Sequence, residues 1–334
     1  MTAVLAERRS APADAAAPWW LPGGNAQTIW AAVGARHAVG PPIGWRRERW
    51  STPDADFIDV DFLDAEAPPQ APMLVLFHGL EGSSRSHYAL AFARWAASAG
   101  WRFAVPHFRG CSGELNLAPR SYYSGDYEEI GWILTRLRAT HGRPLLVAGV
   151  SLGGNALLRW AQESGSAAAA TASAVAAISS PIDLAAAGAA LSRGFNRLVY
   201  TRMFLRTMVP KALAKLAQHP GLFSRERLLA ARDLYEFDNV FTAPLHGFRD
   251  TDDYWSRASA QPHLARLRIP ALVLNARNDP FVPAASLPRE PDTGPQVTLW
   301  QPPHGGHVGF VRGAFPGRLD ALPAAVAGWL HGAH

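Results

Sequence analysis

Short apolar runs alternate with longer amphipathic stretches along the middle of this chain, and no other feature restricts its fold as strongly. Met73-Leu-Val-Leu-Phe77, bounded by Pro72 and by His78-Gly79, has the length and punctuation of a buried strand. Ser84 to Ala99 then has helical spacing with Gly100 as its stop, and Trp101 to Val105 reads as a second strand ending at Pro106. Gly125 to Thr140 places Tyr127, Ile130, Ile133, Leu134 and Leu137 at helical intervals. Leu145 to Val150 is a strand, Gly153 to Glu163 a helix and Ala174 to Ser179 another strand. Repeated βαβ units of this kind predict a mostly parallel sheet covered by helices on both faces.

The beat stops after Ser180-Pro181. About ninety residues pass before the next strand, Ala271 to Asn275, where an ordinary crossover needs about a third of that. The stretch from about Gly188 to Arg268 has helical spacing, with Val199, Tyr200, Met203, Phe204, Leu205, Met208 and Val209 interleaved with Arg202, Arg206, Lys211 and Lys215. It predicts a helical cap at about 188–268, with an apolar stripe toward a pocket and a solvated cationic face outward. Contact of that face with an anionic membrane surface is the less favoured alternative. A strand at Val297 to Trp300 and a terminal helix from about Arg318 to His331 follow. The Ala/Pro-rich start, residues 1–17, is expected to be a flexible segment ahead of one domain spanning 18–334.

Composition narrows the class further. Of 334 residues 48% are hydrophobic and only 18% charged, against about 25% in an average globular chain, which argues for a packed core. No stretch offers 18 strongly apolar residues free of charge, so a membrane-spanning helix is not expected. A single cysteine, Cys111, cannot close an internal disulfide, and Met1 to Pro18 contains no apolar leader core, so a cytoplasmic location is expected. The net charge of +5 comes from 30 Arg and 2 Lys spread along the whole chain. Without spaced cysteines or heptads, that distribution does not describe a nucleic-acid-binding protein.

The chemistry concentrates where strands end. Gly149-Val150-Ser151-Leu152-Gly153 follows one strand and opens a helix, the context of a nucleophile elbow. Such a turn forces its central residue into an unfavourable backbone conformation and admits only small neighbours, which Gly149, Gly153 and Gly154 supply. Serine needs a base, and the base needs an orienting acid. Asp279, in Arg277-Asn278-Asp279-Pro280, follows the strand at 271–275. His307, in His304-Gly305-Gly306-His307, follows the strand at 297–300, with His304 its competitor. The order Ser, Asp, His is that of an α/β-hydrolase. His78-Gly79-Leu80-Glu81-Gly82 ends the first strand as a loop able to aim the Leu80 amide at a tetrahedral intermediate, with the Leu152 amide as second donor. His78 itself is expected to brace that loop, and Cys111 to be an inert packed thiol. Asp250, Asp252 and Asp253 are read as acids at a helix start, and the two histidines of the 304–307 turn lack a third partner, so no metal and no cofactor is expected.

These motifs together resemble the YheT-like branch of the α/β-hydrolases, related to plant embryogenesis-associated proteins and animal α/β-hydrolase-domain lipases. The similarity rests on Pro18-Trp-Trp-Leu-Pro-Gly-Gly24 with Gln27-Thr-Ile29, Phe77-His-Gly-Leu-Glu-Gly-Ser-Ser84, Phe108-Arg-Gly-Cys-Ser-Gly113, Gly149-Val-Ser-Leu-Gly-Gly-Asn155, Thr242-Ala-Pro-Leu-His-Gly-Phe248, Asn278-Asp-Pro280 and Gly306-His307. Asn25 departs from the pattern, which favours histidine after the paired glycines. The resemblance implies an α/β-hydrolase fold with its cap inserted before the strand that precedes Asp279. It also implies hydrolysis of carboxylic esters, with acylglycerol, phospholipid or short-chain substrates in different members. The expectation is a serine esterase working through an acyl-enzyme on Ser151 and acting on a small-molecule ester or lipid. An acyltransferase on the same serine, or a ligand-binding scaffold without chemistry, are the alternatives.

Overall fold

A computed structural model of the protein describes residues 9–14, 16–34 and 42–332. Eight strands form one sheet: β1 (Trp45–Ser51), β2 (Phe57–Leu63), β3 (Met73–Phe77), β4 (Arg102–Pro106), β5 (Leu145–Val150), β6 (Ala172–Ile178), β7 (Ala271–Leu274) and β8 (Val297–Trp300). Their spatial order is β1-β2-β4-β3-β5-β6-β7-β8, with β2 antiparallel to both of its neighbours, β1 and β4, and every other pair parallel. The six strands expected from the apolar runs are all present, each within three residues of its expected ends.

Alternate residues of the central strands divide between two cores. Met73, Val75, Phe77, Leu145 and Val147 pack on one face, and Leu74, Leu76, Leu146, Ala148 and Val150 on the other. Both faces are therefore dry, which is why these strands read as continuous apolar runs. Helices α2 (His87–Ser98), α3 (Tyr127–His141), α4 (Leu152–Ser164) and α12 (Ala321–His331) cover the sheet, while α1 (Gly23–Val33) lies ahead of it in sequence. In α3 the Asp126 side chain caps the start and Gly142 ends the helix in the left-handed region.

The antiparallel pair β1–β2 was not legible in sequence, because charge occupies it. Arg47 pairs with Asp61 through two hydrogen bonds (2.7 and 2.9 Å), and Arg49 with Asp59 through two of 2.8 Å, each directly across the register. Burial alone would raise Asp61, but hydrogen bonds from Arg47, His107 and Ser84 hold it well below the usual carboxylate range. Ser84 belongs to the loop after β3, so this buried carboxylate fastens the sheet edge to that loop.

Between β6 and β7 lies the helical insertion: α5 (Leu184–Leu191), α6 (Gly194–Asn196), a single wide turn at 197–201, then α7 (Arg202–Gln218), α8 (Arg225–Ala230), α9 (Leu234–Val240), α10 (Thr242–Leu245) and α11 (Thr251–Ala258). The return segment rejoins the main core, where Ala260, Leu264, Leu267 and Ile269 are buried. The expected division of the cap into inward apolar and outward cationic faces holds only in part: Arg202 and Arg206 are exposed and Tyr200 is buried. Lys211 and Lys215 face inward onto loops of the sheet edge, while Val199 and Met203 are exposed. Of the stretch 1–17, the described part lies against β8 and the last helix. Thr298 Oγ1 donates to the Arg9 carbonyl (2.9 Å) and Trp300 Nε1 to Asp14 (2.9 Å).

Asn155, fully buried on α4, ties the elbow helix to the cap's return: Nδ2 donates to the carbonyls of Ser124 and Ala258 (both 2.8 Å) and Oδ1 accepts from Ala260 N (3.0 Å). Asn155→Ala should cost about 1–3 kcal/mol for each group left unpaired. The check is a lowered urea midpoint at unchanged slope.

Candidate active site

The chain steps from β3 to β4 on one side and then to β5 on the other, so the order of the sheet reverses between β3 and β5. In open parallel sheets ligands bind outside the carboxyl ends of the strands at such a switch point. Phe77 pairs with Gly149 there, which brings the loop after β3 beside the turn after β5.

That turn is strained as expected. Ser151 has φ 52° and ψ −122°, a region that costs a side chain on the order of 1–3 kcal/mol. Its neighbours must be glycine: a Cβ on Gly149 would sit 2.5 Å from the Gly153 carbonyl oxygen, and one on Gly153 would sit 2.5 Å from that of His78. The compact turn lifts Ser151 to the head of α4, its amide bonded to the Ile178 carbonyl of β6 (2.8 Å).

The loops after β7 and β8 converge on it. His307 Nε2 lies 3.0 Å from Ser151 Oγ, and His307 Nδ1 lies 2.9 and 3.2 Å from the two oxygens of Asp279. A carboxylate only accepts, so the ring proton sits on Nδ1 and leaves Nε2 to accept from the serine hydroxyl. Asp279 is buried and takes further hydrogen bonds from the amides of Phe281 (2.8 Å) and Val282 (3.3 Å). Phe281 stacks on the imidazole at 4.1 Å. The sequence competitor His304 is exposed, whereas His307 is buried. The arrangement can move a proton from Oγ to Nε2 and back while a buried anion steadies the imidazolium.

Leu80 and Leu152 line the same cavity as Ser151 and His307. His78 is enclosed in the loop: its Nε2 accepts from the Phe108 amide (3.1 Å), so Nδ1 carries the proton and donates to the Gly79 carbonyl (2.8 Å). Burial, with the charge of nearby His107, pulls His78 down to about 3, and it stays neutral as a brace. Glu81, at φ 57°, is clamped from two sides. Tyr122 donates to its carboxylate (2.9 Å) and accepts from its amide (3.0 Å), and Lys211 of the cap reaches both carboxylate oxygens at 3.0 and 2.9 Å. Cys111 sits beside Lys211, its thiol pushed up to about 12 by burial, which leaves it unreactive. Asp250 caps α11 through the Asp253 amide (2.8 Å).

Sequence reasoning missed the braces supplied by α1. Thr28 Oγ1 accepts from the His307 amide (2.8 Å), and Gln27 Oε1 accepts from the Gly305 amide (2.9 Å) and from Asn278 Nδ2 (3.1 Å). The string Gln27-Thr28 was the only signal, and its partners lie more than 250 residues away. Asn25 accepts from Tyr200 of the cap (2.9 Å), so the same segment also holds the insertion. The cavity above Ser151 measures about 140 Å³ and is walled by Phe204, Met208, Leu234, Phe237, Phe241 and Trp255 from the cap.

A family model described as "alpha/beta hydrolase fold" matches residues 72–314. The chain belongs to the α/β-hydrolase fold family. Within it, this α/β-hydrolase is 38% identical over 289 residues to the protein named "Putative esterase YheT" of Escherichia coli (strain K12), covering 85% of this chain and 84% of that one, which sets it in the YheT-like branch. It is 32% identical over 289 residues to "Phospholipase ABHD3" of Mus musculus, covering 83% and 69%. In shape it resembles a thermophilic esterase from Thermogutta terrifontis, with a TM-score of 0.51 at 18% identity over 86% of this chain and 99% of that one.

The buried neutral His78 makes an acid prediction. Its folded value lies below the ordinary 6.5, so its contribution is intact above 6.5 and is lost as the pH falls toward 3. Stability measured by denaturant at pH 7, 6, 5 and 4 should decline over this window, and less steeply in His78→Gln, whose amide oxygen can still accept from Phe108.

Proposed function

We propose that this α/β-hydrolase is a carboxylic ester hydrolase in which Ser151 is the nucleophile, His307 the general base and acid, Asp279 the orienting carboxylate, and the amides of Leu80 and Leu152 the oxyanion donors. The observation that carries the reading is the continuous chain Asp279–His307–Ser151, at 2.9 and 3.0 Å, on the floor of an apolar cavity. Ser151 Oγ attacks the ester carbonyl as His307 Nε2 takes its proton. The oxyanion rests against the two amides, and the intermediate collapses with His307 returning the proton to the leaving alcohol. Water then attacks the acyl-serine by the same transfers in reverse order, releasing the acid and restoring the hydroxyl.

The substrate is an ester with a short- to medium-length or acylglycerol-type acyl chain, since aromatic and aliphatic residues make up most of the cavity's lining. The relatives named esterase and phospholipase support an ester substrate. Among the described residues no helix is long and apolar enough to cross a membrane. A cytoplasmic setting belongs to the same reading and is supported by the single, unpaired cysteine.

Hydrolysis of p-nitrophenyl esters from acetate to palmitate should peak at one chain length, and Ser151→Ala should lower turnover on the order of 10⁶-fold. Loss of activity without loss of fold, together with fluorophosphonate labelling of Ser151 in the wild type, is the expected result. Wild-type protein inert to every ester and to the label would overturn the proposal. Product transesterified to an added alcohol in preference to water would favour the acyltransferase reading.

A further inference from the structure

The cap segment from Arg193 to Arg206 presents two apolar faces. Inward, Tyr200 and Phe204 pack on Phe281, and Phe204 also lines the cavity. Outward, Phe195, Leu198, Val199 and Met203 follow helical spacing and are 36–59% exposed, forming one stripe where a solvated helix would carry polar side chains. Arg193, Arg197, Arg202 and Arg206 accompany the stripe, all exposed and none in an ion pair among the described residues. From Leu184 to Arg225 the chain contains no Asp or Glu at all.

We propose that this outer face, residues 193–206, docks the protein on an anionic lipid bilayer. An apolar stripe flanked by arginines suits the headgroup boundary: the side chains enter among the acyl chains and the guanidinium groups meet phosphate and other anionic headgroup oxygens. Acidic residues, which would repel that surface, are missing from this part of the cap. A second protein chain as occupant is less well matched, because four like charges around one stripe oppose self-pairing about a twofold axis. The stripe adjoins the reaction centre through a short relay of rings. Phe195 lies 6.0 Å from Tyr200, Tyr200 4.6 Å from Phe281, and Phe281 4.1 Å from His307. Docking here would set the cavity close to the lipid surface, so an acyl chain could pass between the two without crossing open water. The inference stands on the surface itself and does not depend on the ester-hydrolase reading.

The test is flotation of the full chain with vesicles of phosphatidylcholine alone and of phosphatidylcholine and phosphatidylglycerol in equal parts. Two variants are compared with the wild type: Arg197→Gln/Arg202→Gln/Arg206→Gln, and Leu198→Ser/Met203→Ser. Binding is expected to the anionic vesicles only, to weaken with salt, and to fall on the order of 100-fold in the arginine variant, the change expected for three basic residues at an anionic surface. The serine variant should also lose binding, and both should keep the wild-type melting temperature. Equal binding to neutral vesicles, no binding at all, or binding retained by both variants would overturn the proposal. So would a wild-type dimer that the serine variant converts to monomer, since a second copy would then own the stripe.

Discussion

The turn after β5 approaches the loop after β3 so closely that the geometry of the site follows from their contact. Gly149 and Gly153 pack with no room for a Cβ, and Gly153 rests against the carbonyl of His78. Only with that contact in place do the strained Ser151 backbone and the loop carrying Leu80 face one cavity. Parallel pairing of Phe77 with Gly149 sets the approach along the strands, and the dry cores on both faces hold it. Strain of a few kcal/mol at one residue persists because its surroundings over-determine it.

Around this contact the polar connections run across the chain and seldom along it. His78 locks its own loop to Phe108, and Asp61 joins the β1–β2 edge to Ser84 in that same loop. Gln27 and Thr28 brace the loops that carry Asp279 and His307. Nearly every participant is buried with its partners satisfied, which makes these bonds directional and expensive to break. The site is therefore held by elements from the first helix to the last loop.

The cap is linked to the same framework at separated points. Lys211 grips Glu81 of the β3 loop, Tyr200 reaches Asn25, and Lys215 donates to the carbonyls of Asn116 and Ala118 (2.6 and 2.8 Å), its ammonium pulled down to about 8 by burial. An insertion with two such cations turned inward and with Leu198 and Met203 turned outward departs from the usual amphipathic pattern. Lysine stems bury along apolar surface while their heads find oxygen, so the inward face stays compatible with an apolar cavity.

The sequence alone shows the six apolar strands, the helices between them, and Ser151, Asp279 and His307 at strand ends. Local physics decides these: period and punctuation for the elements, and the tight strand–turn–helix for the serine. It also pointed to His78 as a brace, because a histidine at a strand end beside glycines has backbone groups within reach. It did not reveal β1 and β2, whose alternating arginines and aspartates look solvated until they are paired across the register. Beyond the string Gln27-Thr28 itself it did not reveal that these residues would hold the His307 loop, or that Lys211 and Lys215 would turn inward while Phe195, Leu198 and Met203 turned out. Those outcomes depend on partners tens to hundreds of residues distant, and burial of a polar group becomes favourable only once the fold supplies its counterpart. Tertiary structure alone decided them.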